Sequence, residues 1–307
     1  MMAGRSVNWV ATTLAGCAYG LLGLLLWLPA VAPVQASAEG DGQHILWSVE
    51  GKSNRMYLLG SVHLLAPEEP LPAAMLDAYK AADAVVMEMD LSTLDPAEMQ
   101  AMTMELAMLP AGTRLQDVIA EDTYAALAAR LTDHGMNPAM MEGYRPWMVA
   151  LTLTQLLFAE LGLDPEHGVE TRLTAKALED GKPLSGLETL RDQLQVFAGL
   201  PESEEHDFLR HAIDEYDAAK DEVEELLRAW RTGDVDALTA LLLEGYEDFP
   251  ALYEALAVER HKAWLPQLEA MLEDGDDVLV VVGAMHLVGP DSVVDMLEQA
   301  GYEVERL

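Results

Sequence analysis

The chain has 307 residues, 51% of them apolar, which is enough hydrophobic side chain for a sizeable core in one domain or two. Its 53 Asp and Glu against 18 Lys and Arg give a formal net charge of −35, and a surface this acidic repels phosphate backbones, which argues against nucleic-acid binding. The acids are scattered through every predicted helix, the pattern of a solvated surface whose self-repulsion is screened by salt rather than of one acid-reading partner site.

Arg5 is the only charged residue among the first nine, and residues 10–32 are almost unbroken apolar or small. That is the arrangement of a secretory leader, with small residues for cleavage at Val34-Gln35-Ala36 or Ala36-Ser37-Ala38. Residues 1–38 are therefore read as a signal peptide, with an uncleaved membrane anchor through residues 10–32 as the competing reading. Either way the body is exported to the periplasm or cell envelope of a bacterium. Leu14-Ala15-Gly16-Cys17 looks like a lipobox, but residues 18–28 are more apolar still, so Cys17 is read as part of the hydrophobic run. Cleavage would leave a mature chain with no thiol and no disulfide.

His44 to Glu50 reads as a strand, and Gly51-Lys52-Ser53-Asn54 as the turn of a hairpin into a second strand from Arg55. A helix over 72–82 and a strand over 84–90 complete a strand–helix–strand unit, which places Glu88 beside the strand that carries His63. Helices follow over 96–108, 122–134 and 145–161, with methionines in the first read as soft core filling. A helix between Gly162 and Gly181 leads to a short strand over 183–189 ending on Glu188. One long acidic helix is expected over 201–230, then helices over 234–244 and 252–272, a strand from Val278, a helix over 290–300 and a closing strand. Both ends supply strands while the middle supplies helices, so residues 44–307 are read as one domain. Its fold class is α/β (α+β): a central mixed sheet built from two strand–Gly-x-x-His–helix halves, with a helical insertion over about 96–160 and 201–250.

Those halves rest on a repeat. Leu58-Leu59-Gly60-Ser61-Val62-His63 recurs as Val281-Val282-Gly283-Ala284-Met285-His286, a buried-strand run, a glycine for a tight turn and a histidine three residues on. Strand carboxyl ends are where open α/β sheets bind ligands, so the two imidazoles suggest one shared site. With Val85-Val86-Met87-Glu88, Gly186-Leu187-Glu188-Thr189 and the run from Val281 to Pro290, these segments resemble the TraB/PrgY/GumN family, GumN-like members most closely. Tiki metalloproteases belong to it, and haem-binding ChaN and erythromycin esterases resemble it more distantly. Glu259-Arg260-His261 resembles the family's acid-Arg-Asn, with histidine where asparagine is usual.

The resemblance implies a divalent metal, Mn, Co or Zn, at His63, Glu88 and His286. Glu88 and Glu188 would divide the roles of ligand and general base, and Arg260 would stabilise an oxyanion or pair with neighbouring acids. The implied function is a metal-dependent hydrolase of peptidase type acting on a peptide or other small extracytoplasmic substrate. The alternative is a non-catalytic envelope protein that binds peptide, haem or polysaccharide. The other histidines, His44, His134, His167, His206, His211 and His261, are read as surface residues. Zincin, Ser-elbow, Walker and dinucleotide fingerprints do not occur in the sequence.

Overall fold

Runs of β-branched and aliphatic residues build a single six-stranded sheet, in the order β4-β3-β5-β2-β1-β6. The computed structural model describes residues 43–90, 92–246 and 249–307, so the segment expected to be a leader or anchor, with Cys17, lies outside the described residues. No helix among the described residues is long and apolar enough to cross a membrane. β1 (Leu46–Glu50) and β2 (Arg55–Ser61) form the expected antiparallel hairpin, with Glu50 opposite Arg55. β5 (Val278–Gly283) lies parallel to β2, pairing Gly60 with Val282 and Ser61 with Gly283. The two Gly-x-x-His turns therefore leave the sheet side by side. β6 (Val304–Arg306) closes the far edge against β1.

The strand–helix–strand reading is corrected in one respect. β3 (Ala84–Met89) does not pair with β2, because β5 is inserted between them. Every residue of β5 is buried, which suits a strand paired on both edges, and the crossover through α1 (Ala73–Ala81) readily spans two strand spacings of roughly 10 Å. β4 (Leu184–Glu188) then adds parallel to β3. Four parallel strands, β4, β3, β5 and β2, thus end on one edge, carrying Glu188, Glu88, the turn to His286 and the turn to His63.

Helices fill the middle of the chain. α2 (Pro96–Ala107) starts where the Asp95 side chain accepts from the Ala97 amide; α3 (Glu121–Asp133), α4 (Pro146–Glu160) and α5 (Val169–Asp180) follow. Met99 and Met102 pack against the core, whereas Met104 is 47% exposed and fills nothing. α6 (Leu190–Ala198) begins with a capping box between Thr189 and Asp192. Its Phe197 ring stacks on Trp147 of α4 and tilts against Phe208, each 5.8 Å away, which ties three helices together.

The expected single helix over 201–230 is two, α7 (Glu202–Asp214) and α8 (Ala219–Thr232). The apolar period runs on through the break, with Ile213, Tyr216, Ala219 and Val223 all buried, so periodicity does not mark it. At the break the Tyr216 hydroxyl bonds His134 Nε2 at 2.9 Å. α8 reaches the sheet through Trp230, whose indole N–H donates to the Gly60 carbonyl at 2.8 Å. α9 (Val235–Glu244) and a π-helical turn over Glu254–Val258 precede α10 (Glu259–Glu273), which packs against β2 and β4; α11 (Val293–Gln299) follows β5.

Candidate functional site

At the carboxyl edge of the parallel strands, polar side chains are drawn inside the core. His63, Glu88, Arg260, His261 and His286 are each at most 6% exposed. Burying such groups is costly unless each is paired, so their partners define the site.

Arg260 stands at its centre. Its Nη2 donates to Glu88 Oε2 and to Glu188 Oε1, each at 2.6 Å, and its Nε donates to Glu188 Oε2 at 3.1 Å. Nη1 donates to the Leu256 carbonyl at 3.0 Å and to His286 Nε2 at 3.1 Å. The guanidinium carbon lies 4.7 Å from the centroid of the Trp264 ring, and the Trp264 N–H donates to Glu188. Glu88 also accepts from the Gly283 amide at 2.6 Å and from Gln193 at 3.0 Å. Burial pushes the Glu88 carboxyl above its ordinary value, and the Arg260 guanidinium opposes that.

The partners settle the imidazole tautomers. Arginine only donates, so His286 Nε2 is the acceptor and the proton sits on Nδ1. That Nδ1 lies 2.8 Å from His261 Nε2, and His261 Nδ1 lies 2.7 Å from the Asp291 carbonyl, which can only accept. The chain of donation therefore runs from Arg260 to His286 to His261 to the backbone, with both rings neutral. Burial, reinforced by the nearby Arg260 charge, holds His286 well below its ordinary pKa. Burial likewise lowers His261 to about 4, against the pull of the Asp291 carbonyl. Reading His261 as a surface residue is thus overturned. It lies on the inward stripe of α10 with Trp264, Leu268 and Leu272, where Asp291 and His286 satisfy both ring nitrogens.

His63 has a carboxylate partner of its own at the same sheet edge, and its charge also acts on Glu88 and His286. Its Nδ1 lies 2.6 Å from Glu170 Oε1, a carboxylate that also accepts from the Ser61 hydroxyl. Burial raises the Glu170 carboxyl, but the His63 imidazole and the Ser61 hydroxyl outweigh that and hold it below the usual carboxylate range. Glu170 reaches His63 because the two segments are stitched together: the Val169 amide donates to the Val62 carbonyl and the Asp164 amide to the Leu65 carbonyl. Gly168 permits that approach, since a Cβ there would stand 2.1 Å from the His63 carbonyl oxygen. Sequence reasoning missed Glu170. The available signal was an acid on the inward stripe of α5, with Leu173 and Ala177. Beside His63, with walls that include Val223 and Leu227 of α8, is a cavity of about 20 Å³, enough for one water.

The structure brings Glu88, Glu188, Arg260 and His286 into contact and gives His63 a carboxylate partner of its own. The first group has the donor types of a divalent-metal site, two carboxylates and an imidazole. Their shared centre is taken by the guanidinium, however, and among the described residues no three His, Cys, Asp or Glu are arranged to hold a metal ion. The site as folded does not fit the implied metal.

The chain is similar in sequence to several known proteins. The uncharacterized protein YbaP of Escherichia coli K12 is 27% identical over 261 residues, covering 83% of this chain and 94% of that protein. The metalloprotease TIKI2 of Xenopus tropicalis is 24% identical over 345 residues, covering 92% of this chain and 65% of its own length. The metalloprotease TIKI1 of Homo sapiens is 22% identical, covering 85% and 61%. No solved structure gives a significant match. The profile of the TraB/PrgY/gumN family spans residues 45–306, from the first strand to the last, and takes in both Gly-x-x-His turns and both acid-ended strands: the chain belongs to that family.

Proposed function

We propose that the protein is an exported hydrolase of peptidase type, acting on small or extended peptides in the cell envelope. The observation that carries this reading is the His63–Glu170 pair beside a water-sized cavity, at the same sheet edge as the Arg260 cluster. A carboxylate that holds one imidazole nitrogen fixes the ring's orientation and stabilises its protonated form, as a general base requires when it takes a proton from water. In this reading Arg260, buried and held by Glu88 and Glu188, supplies positive charge for the oxyanion that forms as water adds to a carbonyl. The distant metalloprotease relatives support a hydrolase, and the leader-like residues 1–38 support export.

The test is cleavage of a mixed peptide library followed by mass spectrometry, with His63→Ala and Glu170→Gln compared with the parent, and with chelator or Mn, Co or Zn added in parallel. The expected result is hydrolysis products from the parent and a loss of at least about 100-fold in both variants. Products formed equally by all three proteins, or by none, would overturn the reading.

A binding protein without catalysis is the second reading. It is favoured by the nearly complete burial of the site groups and by the exposed Met104 and Met140. It predicts uptake of haem, peptide or polysaccharide unaffected by either variant, with haem visible as a Soret band.

A further inference from the structure

We propose that Arg260 is the resident cation of this site, standing where a divalent ion would stand, and that shortening it creates a divalent-metal site from Glu88, Glu188 and His286. Three lone pairs already point at one small region. Glu88 Oε2 and Glu188 Oε1 share the same guanidinium nitrogen at 2.6 Å, and His286 Nε2 accepts from the neighbouring nitrogen at 3.1 Å. The His286 lone pair is fixed inward because its Nδ1–H is donated to His261, the kind of outer support that orients a metal-binding imidazole. A second Glu88 oxygen lies 3.5 Å from the same imidazole nitrogen.

The guanidinium is seated as firmly as its acceptors. The π-helical turn just before α10 contributes the Leu256 carbonyl that accepts from Nη1, and Trp264 lies against the guanidinium. Zinc, manganese or cobalt on imidazole and carboxylate requires contacts of roughly 2.0–2.2 Å, so once the guanidinium is gone the two carboxylates would close in by about half an ångström and His286 by about 1 Å or more. With the guanidinium in place, an ion would meet a buried positive charge at the same point.

The inference rests on the cluster's geometry and not on the peptidase reading, and its test has no activity readout, so the two fail separately. Parent, Arg260→Ser, Arg260→Lys and the double variant Arg260→Ser with Glu88→Gln are titrated with MnCl₂ and ZnCl₂ by calorimetry. Metal content after dialysis and thermal unfolding with and without the ion are measured on the same samples. An acidic surface binds divalent ions loosely, so the double variant sets the baseline.

The expected result is no stoichiometric ion above that baseline in the parent or in Arg260→Ser with Glu88→Gln, and none in Arg260→Lys, which keeps a cation. Arg260→Ser should take up one ion per chain. Its melting temperature should rise by about 5–10 °C at a free ion concentration roughly 100 times the dissociation constant. If Arg260→Ser unfolds without metal, because two buried carboxylates have lost their partner, added ion should restore its circular dichroism. One tightly held ion per chain in the parent, or an Arg260→Ser chain that neither binds an ion nor is restored by it, overturns the proposal.

Discussion

Replacing Gly168 with alanine tests whether the His63–Glu170 pair depends on a close approach of two backbones. The new Cβ would stand 2.1 Å from the His63 carbonyl oxygen, 2.6 Å from its carbon and 3.3 Å from the His63 Cα. Ordinary contacts begin near 3.4 Å, so the start of α5 and the turn after β2 must separate by about 1 Å, and both are backbone with no rotamer to swing away. Overpacking of this kind costs about 1–3 kcal/mol. In a chain of this size that lowers the melting temperature by roughly 3–10 °C. The same shift pulls Glu170 off His63 Nδ1, because Glu170 is two residues from the substituted position. Urea unfolding measures the stability, and ¹⁵N NMR of the His63 ring follows loss of the carboxylate partner. Gly275→Ala is the control, since its Cβ meets nothing and its backbone is not strained. A Gly168→Ala protein within about 0.5 kcal/mol of the parent, with an unchanged His63 ring signal, would refute the reasoning.

Two more outcomes follow from single hydrogen bonds. Trp230→Phe removes the donor to the buried Gly60 carbonyl and should cost about 1–3 kcal/mol in urea unfolding, whereas Trp47→Phe should cost less, since among the described residues that ring's N–H has no such buried acceptor. Acid should reveal His261. The folded ring resists protonation until about pH 4, while the unfolded ring takes a proton near 6.5, so between those values the unfolded chain binds more protons. Stability should fall by up to about 3 kcal/mol as pH drops from 6.5 to 4. His261→Asn keeps a side-chain acceptor for His286 and a donor for Asp291 without the titration, so its unfolding free energy should change less over that range. Identical pH profiles for the two proteins would contradict the assignment.

The sequence alone determined the strands, the doubled Gly-x-x-His turn and the placing of Glu88 and Glu188 on strand ends, because buried strands declare themselves through runs such as Val278 to Val282, but it did not show the break that divides 201–230 into two helices. It also singled out Arg260 and His286, which the structure joins at 3.1 Å. Tertiary structure decided what each of these groups touches. β5 separates β2 from β3 although it lies some 190 residues further along the chain, and no local period reports which of several apolar strands takes the central place. Glu170 and His261 were legible only as polar residues on apolar helix stripes, at Leu173 and Ala177 in one case and Trp264 and Leu268 in the other. Such a pattern says that a charge or a ring is carried inward, but not to what. The partner depends on how a helix crosses the sheet edge, a choice made by packing between segments distant in sequence, and here it gave His63 a carboxylate and gave Glu88, Glu188 and His286 an arginine.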